Sequence, residues 1–142
     1  MASATPPPVE TFRRAVEELA EARGRSDRLK AREAGEKAWL AVVEATDRLL
    51  RSKGVRIGPG PRAYVERRAA LTTLGLDDLR RTYSDLAESL HGEFFYFDEG
   101  DHGRALDALF EEAARYVEEA TGEHGLRKRV LDMEHETELR KE

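Results

Sequence analysis

The chain has 142 residues, a formal net charge of −5, charged side chains at 37% and no cysteine. A length of this order suits one domain that buries its own core, and the missing cysteines exclude a disulfide framework and a thiolate metal site. Acidic and basic residues alternate along the chain, so charge does not support a nucleic-acid or nucleotide partner, and no apolar run approaches the roughly 20 residues that cross a membrane.

The opening MASATPPPVE lacks the basic and apolar regions of a secretory signal. Residues 1–8 are expected to form a disordered leader, and the location is expected to be cytoplasmic. From Val9 onward the apolar period is helical. Phe12, Val16, Leu19 and Ala20 form the stripe of a first helix, which Gly24 interrupts. Ser26 or Asp27 is placed to cap a long second helix reaching Ser52. Its apolar side carries Ala38, Trp39, Val42, Val43, Thr46, Leu49 and Leu50, and Gly54 is expected as its left-handed end.

GVRIGPGPR reads as a loop, with Pro61 opening a short third helix that carries Tyr64, Val65 and Leu71 and closes at Gly75. A fourth helix from Asp77 steps through Leu76, Leu79, Tyr83, Leu86, Leu90, Phe94 and Phe97. After a turn at residues 98–103, a fifth helix carries Leu106, Leu109, Phe110, Ala113, Val117 and Ala120 and ends at Gly122. The expectation is an all-α, up-and-down bundle of about five helices over residues 9–122. A helical or flexible tail, 123–142, carries a thin stripe of Leu126, Val130 and Met133.

The run HGEFFYF, His91 to Phe97, asks more of a helix than one face can hide. At about 100° per residue Phe94 and Phe97 join the core stripe, whereas Phe95 and Tyr96 fall on opposite flanks. His91 lies one turn before Phe95. Either the helix ends early and the loop buries the extra rings, or His91, Phe95 and Tyr96 form a contact with a second subunit or a ligand. Glu93, Asp98 and Glu99 would then supply a charged rim.

EKAWLAVVEATDRLL, Glu36 to Leu50, followed by LAESLHGEFF, Leu86 to Phe95, resembles the small PaREP-type archaeal proteins of the HEPN superfamily. Lys37 and Trp39 match a Lys-x-Trp of the family's long second helix, and Leu90, His91 and Phe94 match its Leu-His-x-Asn-Phe-Tyr run. Glu93 stands where the family favours Asn, and Phe95 where it favours Tyr. The resemblance spans roughly residues 9–118 and implies an up-and-down bundle that commonly dimerises. Many superfamily members are ribonucleases or toxin partners that use Arg followed four to six residues later by His.

Searched directly, that chemistry finds only Arg129 and His135, in the tail. A guanidinium to steady phosphate and an imidazole to move a proton is the pairing RNA cleavage needs. Glu88 and His91 have the Glu-x-x-His spacing of a bundle metal ligand pair, with Asp132, His135 and a solvent-facing Glu44 as distant candidates for the rest. No phosphate-cradling loop, nucleophile elbow or dinucleotide fingerprint occurs, and no cofactor is expected. The leading expectation is a non-catalytic HEPN-like binding or assembly module, a homodimer or the companion of another protein. Trp39 anchors its core, and a HEPN-type ribonuclease or toxin component is the alternative.

Overall fold

The computed structural model describes residues 5–96 and 103–141, apart from the side chains of 93–96 and 137–141. Its helices are α1 (Pro7–Gly24), α2 (Arg28–Ser52), α3 (Ala63–Thr73), α4 (Asp77–Leu86), α5 (Arg104–Thr121) and α6 (Leu126–Lys141). A π-helical segment, Ala87–Tyr96, continues α4. No strand occurs among the described residues. The architecture is an all-α, up-and-down bundle.

Helix α1 begins at Pro7, inside the stretch expected to be leader, because proline at the first helical positions loses no intrahelical hydrogen bond. Pro8 and Val9 are already buried. Helix α2 is the spine, packing against α1, α3, α5 and the π segment. Asp27 caps it by accepting from the Lys30 N–H at 3.0 Å. Ala31, Ala34, Ala38, Ala41 and Ala45 recur every three or four residues and are all buried. Such a stripe of methyl groups brings neighbouring backbones close, and α1 lies along it over Phe12, Ala15, Val16, Leu19 and Ala22.

The core continues through Phe12 and Phe110, with ring centroids 6.0 Å apart, and through Tyr83 and Tyr116 at 6.4 Å. Thr46, fully buried, satisfies its hydroxyl on the Val42 carbonyl at 2.7 Å and on the Tyr116 hydroxyl at 2.6 Å. Glu44, expected to face solvent, is instead half-buried and accepts from the Thr11 hydroxyl at 2.9 Å. In α3, Leu71 is buried but Val65 points outward, and Pro61 lies in the turn before the helix.

The tail is a sixth helix. Leu126, Val130 and Met133 are buried, and α6 docks on α1 and α5. The expected regular fourth helix is altered from Ala87 onward. In the π segment each residue turns less than in an α-helix, so the 100° wheel assumed for His91 to Tyr96 does not apply there. The turn expected over residues 98–102 and the placement of Phe97 lie outside the described residues.

Candidate functional site

The junction of α2, the α2–α3 loop, α3, α4 and the π segment encloses a cleft of about 630 Å³. Its wall is a run of four rings. Tyr64 stacks on Tyr83 at 5.4 Å, Tyr83 meets Trp39 at 5.1 Å, and Trp39 stacks on His91 at 6.1 Å. Each ring comes from a different element: α3, α4, α2 and the π segment. Gly60 and Pro61 of the loop also line the cleft.

Two guanidiniums and a carboxylate add charge. Arg67 is tied down by Asp47, donating from Nε at 2.8 Å and from a terminal nitrogen at 3.1 Å. Burial works against its charge, but Asp47 and the neighbouring Tyr83 more than offset that, so Arg67 stays a cation. Arg68 lies over the Tyr64 ring, 5.6 Å from its centroid, and its buried Nε–H has no acceptor among the described residues. The Tyr83 hydroxyl is likewise buried. It feels the Arg67 guanidinium electrostatically but makes no hydrogen bond of ordinary geometry. Burial raises the Tyr83 phenol above its ordinary range, with Arg67 pulling back, so the group is a protonated donor. Glu88 is exposed at the cleft edge.

His91 does not stand on a free outer flank. Its Nδ1 is 2.7 Å from Glu36 Oε2, so the imidazole N–H donates to that carboxylate, and its ring is held against Trp39. The side chains of Phe95 and Tyr96, the other two expected interface residues, lie outside the described residues. Trp39 is 8% exposed, a core residue with an edge on the cleft. Lys37 turns to the opposite side and pairs with Glu18 of α1.

The two alternative chemistries are not assembled here. Arg129 and His135 are exposed on α6, away from the cleft lining, and Arg129 has Glu17 at 4.0 Å. Glu88 and His91 do share the cleft, but among the described residues no group of three or more His, Asp or Glu side chains is placed to hold a metal. A nucleic-acid backbone finds Glu36, Asp47 and Glu88 in or beside the same cleft as the two arginines.

Tyr64, Arg67, Arg68 and Glu36 carry the site yet were not singled out in the sequence. YVERRAA does place Tyr64 and Arg68 four apart, one above the other on a helix, but nothing in that spacing names the ring of Tyr83 as their neighbour. No protein-family model, curated protein or solved structure was found to match the chain.

Proposed function

We propose that the protein is a non-catalytic, HEPN-like binding module whose ligand site is the aromatic cleft, and that it acts as a homodimer. The observation that carries the binding reading is the run of four rings opening onto about 630 Å³ in a chain whose surface is otherwise dominated by alternating charge. That volume falls in the range of small-molecule sites, which combine apolar walls with a few polar groups. The HEPN-like reading is supported by the motif residues Lys37, Trp39, Leu90 and His91 and by the contact that stacks Trp39 on His91.

Trp39 is the chain's single tryptophan, so its indole N–H resonance reports on the cleft. A library of small ring compounds, followed by that resonance, should yield compounds that shift it in the parent and not in Tyr64→Ala. If no compound moves it, the cleft is not a binding site. The dimer reading rests on Phe95 and Tyr96 as consecutive aromatics beside the motif. Parent protein sedimenting as a dimer at micromolar concentration, and a folded Phe95→Asp, Tyr96→Asp variant sedimenting as a monomer, is the expected pair of results. A monomeric parent rejects it.

A further inference from the structure

Among the described residues the buried side-chain polar atoms without a partner are the Nε–H groups of Arg13 and Arg68 and the hydroxyl of Tyr83, and the last two belong to residues that line the cleft. Buried donors are nearly always satisfied in proteins, so a pair of orphans lining one cleft is a specific feature to be explained. Arg68 can only donate, because a guanidinium has no lone pair to offer, and the protonated Tyr83 phenol keeps an O–H to donate while its oxygen faces the Arg67 guanidinium. Among the described residues Arg68 is also a cation without a carboxylate partner, whereas Arg67 beside it is neutralised by Asp47. Arg68 therefore has room for one negatively charged acceptor.

Building on the binding reading above, we infer that the cleft takes a flat aromatic monocarboxylate. Arg68 now covers one face of Tyr64. A guest carboxylate that draws the guanidinium off that ring gains two parallel N–H···O bonds, the geometry arginine favours. The exposed Tyr64 face then receives the guest's own ring, in line with the existing stack of Tyr64 on Tyr83. One anionic group is the right number. Asp47 already occupies Arg67, so Arg68 is the cation left to pair with a guest, while Glu88 at the rim and Glu36 beside His91 repel a polyphosphate or a nucleic-acid strand beyond its first anionic group.

The probes are 2-naphthoate, its neutral analogue 2-naphthamide, the non-planar cyclohexanecarboxylate, and ATP, each titrated into the full chain by calorimetry. The expected result is binding of 2-naphthoate with a Kd on the order of 100 µM. Each of the other three should bind at least about tenfold more weakly. Arg68→Met keeps the apolar stem and removes the charge together with the orphaned N–H, so it should fold normally and weaken 2-naphthoate about tenfold or more. Arg68→Lys should recover only part of the loss, since a point charge cannot form the paired bonds.

Equal binding of 2-naphthamide and 2-naphthoate overturns the need for an anion, and equal binding of cyclohexanecarboxylate overturns the need for a flat ring. Tighter binding of ATP overturns the single-charge argument. Undiminished naphthoate binding in a folded Arg68→Met places the ligand elsewhere. Absence of naphthoate binding ends the inference while leaving the cleft reading intact if other ring compounds still shift the Trp39 indole. If none do, both fall.

Discussion

The hydroxyl pair in the centre of the bundle gives a sharp test of which group donates to which. Thr46 is fully buried, and Tyr116 is 1% exposed. Thr46 has one hydroxyl proton, and the Val42 carbonyl at 2.7 Å takes it, since a carbonyl cannot donate. Tyr116 must then donate to the Thr46 oxygen across the 2.6 Å contact. Burial raises the Tyr116 phenol above its ordinary range, which favours the protonated form that donates. Thr46→Val preserves shape but strands the Tyr116 donor, at a cost of about 1–3 kcal/mol. Tyr116→Phe leaves Thr46 bonded to Val42 and forfeits one hydrogen bond, about 0.5–1.5 kcal/mol. The double variant strands nothing, so it should be no worse than about the Tyr116→Phe protein, with a favourable coupling on the order of 1 kcal/mol. Urea denaturation of the four proteins, with equal m-values, reads these differences directly. Strict additivity, or a Thr46→Val variant that loses less than Tyr116→Phe, would refute the donor assignment.

Trp39→Ala should lose about 2–4 kcal/mol by the same denaturation measurement, below the top of the range for buried aromatics because its cavity opens into the cleft and admits water. A loss under about 1 kcal/mol would show that Trp39 is not part of the core. Gly35→Ala should stabilise by about 0.5–1 kcal/mol, since glycine inside a helix is costly and the added methyl would meet Leu90 Cδ2 at an ordinary 3.8 Å. A fall in stability would mean α2 and the π segment are packed more tightly there. The Glu134 carboxyl is pushed up to about 7, by burial first and then by the neighbouring Asp107 and Glu111, with Arg23 opposing. The folded state thus holds a proton that the unfolded chain releases, so the contribution of Glu134 to stability should be greatest below the ordinary carboxyl range and be lost as pH rises from there through about 7. Because the group is partly exposed, the drop should be on the order of 1 kcal/mol, and Glu134→Gln should flatten it. Equal pH profiles for the two proteins would contradict this.

Much of the bundle could be read from local pattern alone. The stripe of α5, the cap at Asp27 and the left-handed ends at Gly54 and Gly122 depend on residues within a turn or two of one another, where side-chain chemistry and backbone sterics act without help from the rest of the fold. Even the thin stripe of α6 was visible, although its docking on α1 and α5 was not. The cleft was a different matter. Arg67 finds Asp47 twenty residues away, and His91 finds Glu36 across fifty-five, and each charged residue had many equally plausible partners in a chain so rich in both signs. The π segment was hidden for a related reason. Its residues carry no local signal against an ordinary α-helix, and the wider turn that brings His91 against Trp39 is selected by packing on α2. Periodicity and capping are short-range and leave their mark in sequence. The meeting of four rings and two guanidiniums is long-range, and it exists only once the helices have been packed.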